Sequence, residues 1–441
     1  MSKLDKISDT FCIYPWISLM VNTTGSIDFC CIAKPSQLRD QDGKKLDINT
    51  TSLAEAWNSQ DMRDIRQAML DGKKVSSCKH CYLQEEVGKK SFRQMHNQEW
   101  EDRIGLQEIQ DRVNDSIDAD MEVDKPPVYL DMRLGNLCNL TCRMCNPFNS
   151  SQIAKEFQKT KDTEENYTEV MEKTFGKIPE WTASKDYLTK FDKPDLWDNI
   201  NEWMPTLRKV YMTGGEPTMI KNNMDFLNRA AELGYSKNIN VFMNTNLTNA
   251  NARFIESIKQ FDDCDINASL DGIGEVNNYI RGSRSWDTIV RNYRNILELP
   301  NVNSNITPVL QIYNINRIHE VLEFAQELSA SRDRSIGVDI LINTHPVHLD
   351  IRNLPVELRE SATEQLTKFK NSSWLYRENW LVKNSIDGVL GYLSQPQLEN
   401  WHENLTDFLK FTGSLDRMRN ENFSAIDSEL YQQIERLVKD G

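Results

Sequence analysis

Three cysteines fall within eight residues in Leu137-Cys138-Asn139-Leu140-Thr141-Cys142-Arg143-Met144-Cys145, three residues separating the first pair and two the second. Thiolates so spaced can converge from one loop on a single soft metal centre, as cluster-binding runs do. Three protein ligands leave a four-iron cluster with one iron open to another molecule, which makes the cluster a reagent rather than an electron store. Nine cysteines scattered over 441 residues would produce this spacing only about 0.004 times by chance. A zinc knot, or three unrelated core cysteines, is the bland alternative.

Five further cysteines precede the loop, at Cys12, Cys30, Cys31, Cys78 and Cys81, and Cys264 stands alone. The segregation suggests two metal sites. Cys78-x2-Cys81 with two upstream cysteines is, taken simply, a four-cysteine zinc staple. Cys264, just before an expected strand, reads as a small buried residue.

These thiols need a scaffold. Before the loop, Ile17–Val21 and Ser26–Cys30 are β-prone runs flanking Asn22-Thr23-Thr24-Gly25, a hairpin turn. Ser52-Leu53-Ala54-Glu55 reads as a capping box, and Met62, Ile65 and Met69 recur at helical spacing. Residues 86–126 are polar and increasingly acidic, the pattern of a solvated helical connector.

From Val128 strands and helices alternate. Strands are expected at Val128–Arg133, Lys209–Met212, Asn240–Asn244, Asp265–Leu270, Ile306–Ile312 and Val338–Ile342. Helical patterns follow several of them, at Met224–Leu233, Ala252–Lys259, Thr288–Leu297 and Ile318–Leu328. Six strands with helical crossovers imply an α/β fold with a parallel sheet able to curve into a partial barrel. Active sites of barrels collect where strands end, and the three-cysteine loop follows the first strand.

Two other strand ends carry chemistry. Thr213-Gly214-Gly215-Glu216-Pro217 pairs two glycines, which permit close backbone approach, with a carboxylate that can receive an ammonium group. Ser269-Leu270-Asp271-Gly272 ends the fourth strand and Tyr279-Ile280-Arg281-Gly282 follows. Taken alone, these are a turn, an Asp-Gly strand end and a helix cap.

An apolar content of 39% with 9% aromatics is that of a folded globular chain. The chain shows neither a membrane-length apolar run nor a signal-peptide core, so a cytoplasmic protein without membrane contact is expected. Clustered cysteines there favour metal or redox chemistry over disulfides. A net charge of −14 argues against nucleic acid as a partner.

Cys-x3-Cys-x2-Cys after a predicted strand resembles the signature of the radical S-adenosylmethionine (SAM) enzymes, with Met144 where the family more often has an aromatic residue. The resemblance implies a partial (β/α)6 barrel. It implies a [4Fe-4S] cluster on Cys138, Cys142 and Cys145 whose fourth iron binds SAM. It also implies reductive cleavage of SAM to a 5′-deoxyadenosyl radical. Gly214-Gly215-Glu216-Pro217 is similar to the family's GGEP motif, which takes the amino group of SAM. Ser269 and Asp271 match its Ser-x-Asp-Gly strand end near the ribose or methionine, and Arg281 matches a SAM-carboxylate contact. Thr245-Asn246 resembles the family's Thr-Asn-Gly, with Leu247 replacing the glycine. No Gly-x-Ile-x-Gly-x-x-Glu motif for adenine is visible.

The arrangement of Cys12, Gly25, Cys30, a helix containing Ala56-Trp57-Asn58, and Cys78-x2-Cys81 resembles the SPASM/twitch auxiliary-cluster module. That resemblance implies a second [4Fe-4S] cluster on Cys12, Cys30, Cys78 and Cys81, with Cys31 as the alternative to Cys30. The module usually follows the SAM domain; here it precedes it.

The resulting plan has an auxiliary-cluster domain at 1–98, an acidic linker at 99–126, a SAM core at 127–350 with an insertion at 146–206, and a helical extension at 351–441. The insertion is rich in aromatics and reads equally as a lid or as packed helices. His345 and His348 at the barrel rim are candidate substrate contacts. Trp374, Trp380 and Trp401 are expected to pack the C-terminal helices.

The function implied is radical modification or oxidation of a C–H bond in a peptide, protein or small molecule, the auxiliary cluster accepting an electron or binding substrate. A flavodoxin or ferredoxin would be the external electron donor. No catalytic side chain is singled out. Sulfur or methyl transfer is the rival chemistry, and a zinc-stapled binding protein the rival class.

Overall fold

The computed structural model describes residues 2–34, 38–86, 88 and 90–440. The chain forms two compact units, Met1–Gly135 with Leu188–Phe242 and Gln260–Asp262, and Asn136–Tyr187 with Met243–Lys259 and Asp263–Gly441.

In the first unit β1 (Ser18–Val21) and β2 (Ile27–Asp28) make the expected hairpin, with Met20 opposite Asp28. β1 also runs parallel to β3 (Tyr129–Met132), which runs parallel to β4 (Lys209–Met212). The N-terminal hairpin therefore extends the same sheet as the first two strands of the α/β pattern. Ser52 and Glu55 close the predicted capping box. Arg66, on the helix Gln60–Leu70, is fully buried and donates to the carbonyls of Pro15, Trp57 and Met121 at 2.7–2.8 Å. Its hydrogen bonds satisfy a charge that burial would otherwise penalise.

The segment read as a solvated connector is instead packed. Helices Phe92–Ile104 and Leu106–Asp118 bury Trp100, Ile109 and Val113, and Ser116 accepts from the Trp16 indole at 2.9 Å. Leu106–Asp118 buries an apolar stripe, whereas Phe92–Ile104 is held by Trp100 together with the buried Arg93 and Asn97, which donate to the Phe11 carbonyl at 2.6 and 3.1 Å.

β5 (Asn240–Thr245) leads from the first unit into the second. There β6 (Cys264–Ala268) runs parallel to β7 (Val302–Asn303) and β8 (Asn305–Ile306), and β8 runs parallel to β10 (Gly337–Val338). The expected strands Ile306–Ile312 and Val338–Ile342 are each broken, and their second halves, β9 (Val309–Leu310) and β11 (Leu341–Ile342), pair separately in parallel. Pro308 supplies no N–H to a ladder, and the Val309 N–H leaves the sheet to donate to Asp271 at 2.7 Å. Cys264 is fully buried, as expected.

Most of the insertion is packing. Phe157, Tyr167, Val170 and Met171, from helices Ser151–Thr160 and Glu165–Phe175, form one core cluster with Phe411 and Leu415 of the long helix Trp401–Arg419. Trp380 corrects the expectation for the C-terminal tryptophans: it is 68% exposed. Among the described residues no helix is long and apolar enough to cross a membrane.

Candidate metal and cofactor sites

In the second unit the three-cysteine loop is held from three directions. The loop leads into the helix Ser151–Thr160, whose N-cap and first residue clamp it: Ser151 Oγ accepts from the Cys138 N–H at 3.2 Å and Ser150 Oγ donates to the Leu140 carbonyl at 2.8 Å. The Leu140 N–H points at Cys138 Sγ, 3.5 Å away. From the strand-end side, Asn246 donates to Asn139 at 3.0 Å, and Asn139 to Thr248 at 2.7 Å. Leu247, at the position of the family's glycine, adopts φ +63° and is fully buried. Its burial outweighs the roughly 1–2 kcal/mol that a left-handed conformation costs an L-residue.

The third hold is Arg143, between the second and third cysteines. Its side chain is completely buried, and Nη2 lies 2.6 Å from both Asp416 and Glu421. Nε donates to the Tyr279 carbonyl at 3.1 Å, and the guanidinium lies 3.7 Å from the centre of the Tyr279 ring. Sequence reading missed this residue. Its partners lie more than 270 positions downstream, and a lone arginine between cysteines carries no spacing signal.

The Ile280-Arg281-Gly282 turn backs directly on the loop. The Arg143 N–H donates to the Ile280 carbonyl at 2.8 Å, and a Cβ at Gly282, where φ is +62°, would sit 2.2 Å from Thr141 Oγ1. Arg281 and Asp271 are both buried, with Arg281 Nε 2.8 Å from Asp271 Oδ2 but off the angle of a hydrogen bond. Burial pushes the Asp271 carboxyl up, and the Arg281 charge opposes that shift. Ser269 sits at the end of β6, its N–H donating to Thr245 at 2.9 Å.

None of the three loop cysteines is in a disulfide. Burial pushes the Cys145 thiol up to about 12, with Cys142 adding to the shift. Burial also raises Cys142, while the Arg281 charge opposes it. Thiols so disposed give up their protons to a bound cation rather than to water. Three thiols on one loop, with the buried Asp271–Arg281 pair acting on Cys142, fit a cluster with one open iron.

In the first unit Cys12, Cys30, Cys78 and Cys81 line one small, nearly apolar cavity with Phe29, Ile32 and Phe92. Cys31 is not among its lining residues; its thiol interacts first with Cys30, and then with the Asp131 and Arg133 charges. Burial pushes Cys78 up to about 12, and Cys12 further, with Cys78 and Cys81 adding to the Cys12 shift. Four thiols around one small cavity, which Arg93 and His80 also line, fit a fully ligated cluster. Among the described residues no three His, Cys, Asp or Glu side chains close around a single-ion point.

Also in the first unit, Gly214 has φ +114°, and a Cβ there would meet the Gly135 carbonyl at 2.9 Å; the Gly215 N–H donates to that same carbonyl at 3.0 Å. This turn presents Glu216, which is buried and accepts from the Thr218 N–H and hydroxyl at 3.1 and 2.6 Å. Pro217 opens the short turn that follows.

Of the two rim histidines, His348 is buried against Phe411, with ring centres 4.8 Å apart, and its Nε2 has no hydrogen-bond partner. His345 meets Phe175 edge-on.

Comparison with known proteins places these features. A profile of the radical SAM superfamily matches residues 132–325. A profile of the SPASM iron–sulfur cluster-binding domain matches residues 12–82, which spans all five N-terminal cysteines. No curated protein matches the sequence. Among solved structures, SuiB of Streptococcus suis bound to the precursor peptide SuiA is 15% identical, over 67% of this chain and 59% of that one, with a TM-score of 0.36. Native anSMEcpe with bound AdoMet is 16% identical, over 56% of this chain and 62% of that one, with a TM-score of 0.36. TYW1 with a lysine–pyruvate adduct is 13% identical, over 56% of this chain and 72% of that one, with a TM-score of 0.28. The chain thus spans about three fifths of the length of the first two. A radical SAM domain takes a [4Fe-4S] cluster and SAM, and a SPASM domain takes auxiliary iron–sulfur clusters. Residues 132–325 of the chain are thus a radical SAM domain, preceded at residues 12–82 by a SPASM iron–sulfur cluster-binding domain.

Proposed function

We propose that this protein reductively cleaves SAM and uses the product radical to modify a C–H bond of a peptide or protein substrate. The observation that carries the reading is the loop of three buried or half-buried thiols outside any disulfide, Cys138, Cys142 and Cys145, clamped beside the Asp271–Arg281 pair. Bound to these thiols, a four-iron cluster would supply the electron that splits SAM into methionine and a 5′-deoxyadenosyl radical able to take hydrogen from substrate. The chain's own residues hold and orient. Ser150, Ser151, Asn246 and Arg143 fix the thiol loop. Glu216 is the proposed acceptor for the SAM ammonium group, with Gly214, Gly215 and Pro217 shaping its turn. Ser269 and Asp271 are the proposed contacts to the ribose or methionine, and Arg281 to the carboxylate.

Cys12, Cys30, Cys78 and Cys81 are the proposed ligands of an auxiliary cluster that accepts an electron from the substrate radical or binds the substrate. We take residues 1–98 as that module, 127–350 as the SAM core and 351–441 as a helical extension. Electrons for the first step would come from an external one-electron donor of the flavodoxin or ferredoxin kind.

The test is iron and sulfide per chain after anaerobic reconstitution, for wild type and for a Cys138/Cys142/Cys145→Ala variant, with 5′-deoxyadenosine measured after reduction in the presence of SAM. About eight irons falling to about four, with loss of 5′-deoxyadenosine, is expected. Wild-type protein that binds iron but forms no 5′-deoxyadenosine would sink the reading.

A further inference from the structure

Within the first unit one face of the sheet is apolar and closed, and the other is not. Leu130 and Met132 of β3, Val210 and Met212 of β4 and Val241 of β5 share the closed face, none more than 3% exposed. The alternate residues put polar groups and rings on the opposite face. There Asp131 stands directly across from Tyr211 in the β3–β4 ladder, and the Tyr211 ring stacks on that of Phe242, centres 4.6 Å apart at 23°. Both rings are half-buried. Arg133, the residue after β3, keeps to this face. Its N–H donates to the Val21 carbonyl at 2.9 Å, and its guanidinium grips Asp131, Nε to Oδ1 at 3.0 Å and Nη2 to Oδ2 at 2.8 Å. The Asp131 side chain is 3% exposed and that of Arg133 25%. The same strand end carries the Gly-Gly-Glu-Pro turn, since a Cβ at Gly214 would lie 3.5 Å from the Arg133 carbonyl carbon.

A guanidinium has two edges that match a carboxylate, Nε with Nη2 and Nη1 with Nη2. Asp131 occupies the first and fixes the plane of the group. Nη1 makes no hydrogen bond among the described residues, so the second edge is open. The other cation on this face, Lys209, is already held by Glu99 at 2.6 Å.

We propose that Arg133 is a specificity-determining residue whose Nη1/Nη2 edge takes a carboxylate of the substrate, with the Tyr211 and Phe242 rings receiving the apolar group beside it. The inference rests on the proposed function and narrows its substrate to one that presents a carboxylate. The fork asks for two acceptor atoms, which a carboxylate has and a carboxamide lacks. Because Asp131 already holds the guanidinium still, little side-chain freedom is lost on binding. Strand ends are also where barrels collect their substrate contacts.

The experiment is anaerobic calorimetry on the reconstituted holoprotein, with and without saturating SAM, using three small probes. N-acetyl-phenylalanine offers a terminal carboxylate, N-acetyl-glutamate α-amide a side-chain carboxylate, and N-acetyl-glutamine α-amide none. At least one carboxylate should bind in the presence of SAM, about tenfold more tightly than the neutral probe. Which of the two binds tells a chain end from an acidic side chain. Arg133→Gln should erase the preference, and Arg133→Lys, which keeps the charge without the fork, should retain only part of it. Should Arg133→Gln fail to hold iron, Arg133→Lys carries the same comparison. No carboxylate preference in wild type, or a full preference in both variants, would overturn the inference. So would binding abolished by SAM, because Arg133 would then serve the carboxylate of SAM itself. Wild type that forms no 5′-deoxyadenosine would instead overturn the proposed function on which the inference rests.

Discussion

The Arg143 guanidinium lies 2.6 Å from the Asp416 carboxylate, joining the three-cysteine loop to a helix 273 positions downstream. Both groups are largely removed from water, at 0% and 15% side-chain exposure. Glu421 sits on the same guanidinium nitrogen at 2.6 Å. Removing one member of such a buried set strands the others, a loss of about 3–5 kcal/mol. Arg143→Met should therefore lower the urea-unfolding free energy by about that amount. Asp416→Asn alone should also destabilise, and the double variant should fall well short of the sum of the two. Additive losses would show that the pair is not energetically coupled.

Cys30 and Cys31 are adjacent in sequence and their thiols interact, but only Cys30 lines the cavity shared with Cys12, Cys78 and Cys81. Cys30→Ser should remove about four irons per chain after reconstitution, the content of one cluster. Cys31→Ser should leave the iron count at the wild-type level. Iron lost from Cys31→Ser and kept by Cys30→Ser would reverse the ligand assignment.

What could be read from the sequence was what is local in it. The cysteine spacings, the Gly-Gly-Glu-Pro turn, the Ser52–Glu55 capping box and the hairpin around Asn22–Gly25 each rest on residues a few positions apart, and each has its expected local form. The broken strands were partly legible, since Pro308 interrupts the run. The Asp271 carboxylate that takes the Val309 N–H lies 38 positions away and carries no such signal. Residues 99–126 were misread because charge dominates the composition, while the few apolar residues that anchor the helices, Trp100, Ile109 and Val113, are buried. Arg143 was invisible for a different reason: Asp416 and Glu421 come from distant chain, and nothing in a single sequence pairs them with it.

His348 predicts an acid dependence of stability. Burial, with the nearby His345 and Lys173 charges, pushes its imidazole down to about 3 from the usual 6.5. Below pH 6.5 the unfolded chain takes up a proton that the folded chain refuses. The stability this group contributes is therefore present above pH 6.5 and lost as the pH falls from 6.5 toward 3. The slope is at most about 1.4 kcal/mol per pH unit. His348→Met, similar in volume and without the titrating ring, should show a shallower fall than wild type in urea midpoints between pH 7 and pH 4.5. Parallel falls would mean that His348 is protonated in the folded state.

Gly282 and Thr141 give the sharpest test of how the strand-end motif supports the thiols. A methyl group at Gly282 would lie 2.2 Å from Thr141 Oγ1, and Thr141 is bonded directly to Cys142. Gly282→Ala therefore has two costs. The first is about 1–2 kcal/mol for a Cβ in a left-handed conformation. The second is the displacement of Thr141, and with it the loop that carries Cys142. Removing Oγ1 leaves the nearest neighbours of that methyl at 3.3 Å, tight but tolerable with a small shift. Adding Thr141→Ala to Gly282→Ala should thus recover part of the lost stability and part of the iron held by the loop, leaving the backbone strain behind. The expected coupling is about 1 kcal/mol or more. Were the double variant no more stable than the sum of the two single changes, the Ile280-Arg281-Gly282 turn would not be the surface against which the cysteine loop is set.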